Sequence, residues 1–346
     1  MNRALIIAFI SLSLASLSSC SNKRESASSQ LESPISKNTF KPVEISGWIM
    51  EMPYHVLIGE TLSDTEQKSL KTSILAVFSD INDTFNKFNP NSELSRLNRL
   101  KAYEKAPISK PLADMLLFCK EIHTLSEGRF DPTVEKAMQL WKGSLEKGAL
   151  LDKAQLEDAR ASIGLDKVHL DKGIFYKTAD NLAIDLGGVA KGHAIDLIAD
   201  MLRAKGIKSA LINWSGELCA FGEHPEKRAW QVMIPAYVKK GVKLPLENQA
   251  LATSGDYLQN WSVAVKDKVM TFCHILDPRS AWPLEIKPKS TACVSVAAKS
   301  CILADALATS AMVFQDSKTL ELWIHKVKAA YPETSFWTLQ REGVSL

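Results

Sequence analysis

Several short stretches of this chain hold polar side chains at spacings that could do chemistry. In residues 183–196, AIDLGGVAKGHAID, a glycine pair, a lysine and a further glycine stand where an apolar strand runs into a helical pattern. Glycines lack a Cβ, so backbone groups can approach a ligand, and a helix N-terminus favours an anion. The stretch therefore has the means to cradle a phosphate. It is not a Walker loop, because Lys191 precedes Gly192 and no hydroxyl follows, and it lacks the G-x-G-x-x-G spacing of dinucleotide sites. An ordinary strand-to-helix turn with Lys191 in solvent accounts for the same residues. In CILADALATS, residues 301–310, Asp305 and Thr309 are four apart and share one face of a helix of small residues. Two such oxygen donors suit a hard cation such as magnesium, completed by phosphate and water. Equally, Asp305 can complement the helix dipole while Thr309 bonds back to a carbonyl. Thr253–Tyr257, His274–Arg279 and Gly128–Pro132 also gather polar groups, and each reads first as a turn.

The elements that must position these residues follow from hydrophobic spacing. Residues 43–60 read as an opening strand. Leu70, Ile74, Val77, Phe78, Ile81, Phe85 and Phe88 predict a helix from Asp64 to about Phe88. A second helix is expected over 111–126, closed by Gly128. A hairpin turning at Asp171–Gly173 is expected over 167–177. The spacing next predicts a helix over 189–205 ending at Gly206, then the strand SALINW. Strands at 229–235, 249–253, 261–276 and 292–298, helices at 302–314 and 318–330, and a last strand SFWTLQ complete the pattern. Mixed elements without strict βαβ alternation argue an α+β fold of one domain over 43–346.

Residues 1–19 look like a signal peptide: Arg3, then a short apolar run from Ala4 to Leu17. Leu17-Ser18-Ser19-Cys20 resembles a lipoprotein processing site, which would lipidate Cys20 and anchor the chain to a membrane. A plain secretory signal with an accidental cysteine is the other reading. Residues 20–42 are polar and Ser-rich, as a flexible tether should be. Cys119, Cys219, Cys273, Cys293 and Cys301 make no CxxC pattern, which argues against structural zinc and for small core residues. With 42 Lys and Arg against 39 Asp and Glu, interspersed, nothing marks a nucleic-acid surface.

Taken together, in their order, these motifs resemble the ApbE-type FAD:protein FMN transferases across nearly all of residues 45–340. The resemblance rests on Asn89–Asn98, Gly128–Val134, Asp185–Gly192, Asn213–Glu217, Thr253–Tyr257, His274–Arg279 and Ala304–Thr309. It implies an ApbE-like domain and a reaction in which FAD is split between its phosphates. FMN is then joined to a threonine of an acceptor protein, and AMP leaves. It implies magnesium held by Asp305, Thr309, Ala308 and the carbonyl of Gly188. FAD contacts are implied for Met50, Phe88, Arg129, Phe130, Asp131, Asp185, Lys191, His274 and Leu276. Lys191 would meet a phosphate, and His274 is the candidate general base. The resemblance further implies a lipoprotein at the periplasmic face of a bacterial envelope membrane. Its acceptors would be subunits of redox complexes of the Na⁺-translocating NADH:quinone reductase or Rnf type. Departures are Glu51-Met52-Pro53 after Met50, where Gly-Thr is usual, Phe88 for a tyrosine, Ser215 for a glycine, and Ser280-Ala281-Trp282 for Thr-Gly. Hydrolysis of FAD to FMN and AMP, or flavin binding without catalysis by an anchored lipoprotein, are the alternatives.

Overall fold

The computed structural model describes residues 41–235, 241–257 and 259–341. The expected signal segment, Cys20 and the tether up to residue 40 lie outside the described residues. The chain opens with a hairpin, β1 (Val43–Ile49) and β2 (Met52–Ile58), where the sequence predicts one strand. Met50 and Glu51 make the turn at φ 47° and 61°. That left-handed pair usually draws Asn or Gly, so no turn residue announced it. α1 (Asp64–Thr84) buries Leu70, Ile74, Phe78 and Ile81 along one stripe and begins in a capping box between Ser63 and Glu66. α2 (Glu93–Asn98), β3 (Ala106–Pro107) and α3 (Lys110–Leu125) follow. Gly128, at φ 77°, closes the end of α3 by donating its N–H to the His123 carbonyl. α4 (Glu135–Leu145) and α5 (Lys153–Ala161) fill a stretch to which the sequence pattern assigns no element.

The expected hairpin is present as β4 (Val168–Asp171) and β5 (Ile174–Lys177), and the next helix as α6 (Ala190–Ala204). The remaining strands are β6 (Ala210–Trp214), β7 (Glu217–Phe221), β8 (Trp230–Ile234), β9 (Val242–Leu246), β10 (Gln249–Gly255), β11 (Asn260–Val265), β12 (Lys268–Asp277), β13 (Trp282–Glu285) and β14 (Thr291–Ala298). The single strand expected over 261–276 is thus the hairpin β11–β12, turning at Lys266–Asp267. α7 (Cys301–Met312), α8 (Ser317–Ala330) and β15 (Ser335–Gln340) close the chain close to their expected positions.

Seven strands form one antiparallel sheet in the order β1-β2-β6-β7-β10-β14-β15. α6 lies on β6 and β7, α7 on β10 and β14, and α1 packs against α6. The core between sheet and helices includes Tyr54, Phe78 and Trp214, with Phe78 tilted against Tyr54 at 5.2 Å and edge-on to Trp214 at 4.8 Å between ring centroids. The opposite sheet face is covered by β8–β9 through Trp230, Val232, Ile234 and Leu246. A smaller core sits between α4, α5 and β11–β13 around Trp141, Phe272 and Leu276. An antiparallel sheet with helices gathered on one face is the α+β arrangement expected. All five described cysteines are buried and free. Among the described residues no helix is long and apolar enough to cross a membrane.

Candidate active site

The site forms where α6 and α7 begin beside each other. Val189 offers α6 no side-chain cap, and the N–H of Gly192 donates instead to Asp305 Oδ2 of α7 at 3.1 Å. Asp196 of α6 returns the contact, accepting from the N–H groups of Cys301 and Ile302 at 2.7 and 2.9 Å. Each helix therefore has first-turn donors satisfied by a carboxylate of the other. The approach is close because Gly192 has no side chain: a Cβ there would lie 2.4 Å from the Cys301 carbonyl oxygen. The last glycine of the GGVAKG run thus serves helix packing.

Lys191 forms an ion pair with Glu217 of β7. Burial alone would lower the Lys191 ammonium, but the carboxylates of Asp305 and Glu217 outweigh it and hold the group above its ordinary range. Asp305 and Glu217 are each 2% exposed, and burial raises both carboxyls against the pull of Lys191. Glu217 Oε2 is buried without a hydrogen-bond partner. Thr309, one turn beyond Asp305, has its Oγ1 3.2 Å from Ser254 Oγ of β10. A Cβ on Gly188 would fall 3.0 Å from Thr309 Oγ1 and 3.3 Å from the Phe130 ring. Gly188, Phe130 and Thr309 therefore meet. Ala308 is fully buried in α7, so only its backbone oxygen is a donor. Among the described residues no three His, Cys, Asp or Glu gather as a metal cluster. A cation here would be held by one carboxylate with hydroxyl and backbone oxygens, a set suited to a hard ion that keeps water or phosphate.

Asp185 lies on the turn leading into Gly188. Its Oδ1 accepts from Gly187 N–H at 2.8 Å and its Oδ2 from Lys87 Nζ at 2.8 Å. Lys87 also pairs with Glu135 and stands 5.0 Å from the ring centroid of Phe88. Phe88 is 83% exposed, an aromatic face open to a ligand. Met50 sits on the β1–β2 turn, next to the β6–β7 turn through a hydrogen bond from Ser215 N–H to the Pro53 carbonyl. His274, on β12, is bound through its ring to the Gln259 carbonyl at 3.3 Å. Burial lowers its pKa, and Asp185, Asp256 and Lys191 are near enough to act on it. Burial thus favours the uncharged form of the His274 imidazole.

Other expected contact residues have structural partners. Asp131 is buried, accepts from the Thr133 backbone and hydroxyl at 2.8 and 2.5 Å, and accepts from Leu165 N–H at 3.3 Å. Its carboxylate holds the turn that presents Phe130. The Leu276 side chain packs in the smaller core, which leaves its backbone for any ligand. The Arg129 guanidinium lies 3.9 Å from the Phe314 ring centroid and bonds the Ser126 carbonyl at 3.3 Å, while its Nε is buried without a partner. Sequence reasoning gave no role to Glu217, Asp196, Lys87 or Glu135. Glu217 did carry a signal, as the lone charge in the apolar strand ELCAF.

Residues 50–331 match the model of the ApbE family. The chain is 34% identical over 279 residues to the FAD:protein FMN transferase of Chlamydia muridarum (strain MoPn / Nigg), covering 80% of this chain and 86% of that one. It is 28% identical over 296 residues to the FAD:protein FMN transferase of Haemophilus influenzae, covering 82% and 83%. Among solved structures, the apo form of the Pseudomonas stutzeri flavinyl transferase ApbE matches with a TM-score of 0.76 and 26% identity, over 88% of this chain and 94% of that one. With sequence and fold in agreement over most of its length, the chain belongs to the ApbE family.

Proposed function

We propose that this chain is a magnesium-dependent FAD:protein FMN transferase that passes the FMN phosphate of FAD to a threonine of an acceptor protein and releases AMP. The observation that carries this reading is the meeting of half-buried Lys191 and buried Asp305 with Thr309 and the Gly188 backbone where α6 begins beside α7. These donors fit magnesium: they are oxygens, and the space against Thr309 exists because Gly188 has no Cβ. Asp305, Thr309 and the backbone oxygens of Gly188 and Ala308 would hold the ion, which when bound neutralises charge on the pyrophosphate and the departing AMP. Lys191 adds a fixed positive charge beside them. His274, neutral near pH 7, takes the threonine proton. The threonine oxygen then bonds the FMN phosphorus as the bond from that phosphorus to the AMP oxygen breaks. Phe88 offers its exposed ring to the flavin, with Met50 at the rim.

The test incubates the full chain with FAD, Mg²⁺ and an acceptor subunit of the Na⁺-translocating NADH:quinone reductase or Rnf type. Covalent flavin fluorescence on a denaturing gel, absent with a chelator, is the expected outcome. Release of FMN and AMP without acceptor would identify a pyrophosphatase instead. Flavin binding without turnover, unchanged by Asp305→Ala, would identify a carrier. We place the enzyme at the periplasmic face of a bacterial envelope membrane, anchored through Cys20. Cys20→Ser should move it from the membrane to the soluble fraction while activity in solution is kept.

A further inference from the structure

The charges that meet beside the start of α6 do not sum to an anion site. Lys191 supplies the positive charge, and its ammonium is already paired with Glu217. Asp305, buried beside them, adds a second negative charge. With burial raising Glu217 to about 7, one ammonium and two carboxyls leave the cluster neutral to net negative near neutral pH, and both carboxyls are shielded from water. A pyrophosphate brought there alone finds no net positive charge, and a divalent cation supplies it. A second observation points the same way. Glu217 Oε2 is buried with no partner, and such an oxygen is costly unless a donor reaches it on binding. Waters carried by a hard cation are donors of that kind.

We infer that Glu217 is a positioning residue that makes the site metal-dependent: by cancelling Lys191 it keeps a bare pyrophosphate out and admits the pyrophosphate of FAD only together with a divalent cation. The inference rests on the flavin transferase reading and deepens it. Removing the Glu217 charge must then shift the two ligands in opposite directions. A residue that merely held the fold would weaken both together.

The experiment uses the full chain, wild type and Glu217→Gln, with flavin fluorescence for FAD and the paramagnetic signal of Mn²⁺ for the metal alone. In the wild type, FAD should bind with Mg²⁺ and bind at least about tenfold more weakly in chelator, the scale of one unfavourable charge contact. In Glu217→Gln, FAD in chelator should bind about tenfold more tightly than to the wild type in chelator. Mn²⁺ alone should bind about tenfold more weakly, as for loss of an outer partner of a metal site. Riboflavin, which carries no phosphate, should bind both proteins alike. Glu217→Asp, which keeps the charge, should restore the metal requirement. Lys191→Met should act in mirror image, tightening Mn²⁺ and weakening FAD in chelator, so the inference stays testable if Glu217→Gln folds poorly. Parallel loss of both affinities in Glu217→Gln, or no change in either, would overturn it. A wild type that binds no FAD even with Mg²⁺ would instead overturn the transferase reading beneath it.

Discussion

Asp305 is buried in α7 and its carboxyl is raised by that burial, against the pull of Lys191 and one hydrogen bond from Gly192. A charge kept under such conditions adds little to stability, and the proposed metal site would account for its presence. Asp305→Asn keeps the shape and removes the charge. It should leave the melting temperature equal or higher while lowering transfer by at least about a hundredfold, a change of roughly 3 kcal/mol in the barrier. Thermal denaturation and single-turnover transfer measured on one preparation check both halves. His274 gives a second expectation. Burial holds its imidazole below the ordinary histidine value, so the protonated form appears only at lower pH. The acidic limb of the rate profile should therefore lie below about 6.5. His274→Gln should abolish that limb and leave FAD affinity within about twofold, as for a group acting on the proton rather than on binding.

The paired capping of α6 and α7 makes two elements into one unit. Gly192→Ala puts a Cβ against the backbone at Cys301, 2.4 Å from its carbonyl oxygen. Backbone cannot swing aside as a side chain can, so the helices must separate at a cost of about 3 kcal/mol. Denaturant midpoints should fall accordingly, and metal affinity with them, because Asp305 moves with α7. Asp196→Ala removes both N–H partners at the start of α7 and should cost about 2 kcal/mol. The pH dependence of this cap has a definite sign. Burial raises the Asp196 carboxyl to about 6 despite its two backbone donors, against roughly 4 in the unfolded chain. The folded state thus holds the extra proton between those values. The contribution of this group to stability is full below about pH 4 and is lost as pH rises through about 6. Asp196→Asn should flatten the stability profile over that window.

At the scale of the molecule, the proposed site would draw on residues from Met50 to Thr309, carried by turns and helices packed on the antiparallel sheet. The end of the described chain is tied in as well. Arg341, after β15, forms a two-armed ion pair with Asp256 at 2.7 and 2.6 Å and bonds Ser290 Oγ at 3.1 Å. Asp256 is 3% exposed and lies close enough to His274 to act on it. Asp256→Ala removes both arms of this ion pair, and losing one side of a largely buried pair costs up to about 3 kcal/mol. The expected result is a lower denaturant midpoint at unchanged slope. The acidic limb set by His274 should also shift to lower pH, because a nearby negative charge that favours the imidazolium is gone.

Local spacing was enough to place α1, α3, α6, α7 and α8, since a buried stripe at helical period belongs to the residues themselves. It also put Asp305 and Thr309 on one face. α4 carries a readable stripe, Ala137, Trp141 and Leu145 four apart, which the sequence reading passed over, whereas α5 buries only Ala159 and offers little pattern. The β1–β2 turn escaped because Met50 and Glu51 adopt left-handed backbone without a turn residue's signature. Lys87 drew no reading from the sequence, because its partners Glu135 and Asp185 are 48 and 98 residues away. By itself the sequence determined which residue types stood ready: a lysine beside glycines, an aspartate and threonine one turn apart, a histidine at a turn. Only the tertiary structure decided that Gly192 serves a helix contact, that Asp196 caps a different helix, and that Lys191 is already paired with Glu217. The reason is physical: spacing along a helix selects a face, whereas an ion pair depends on which distant element packs against that face, and there burial and charge are set together.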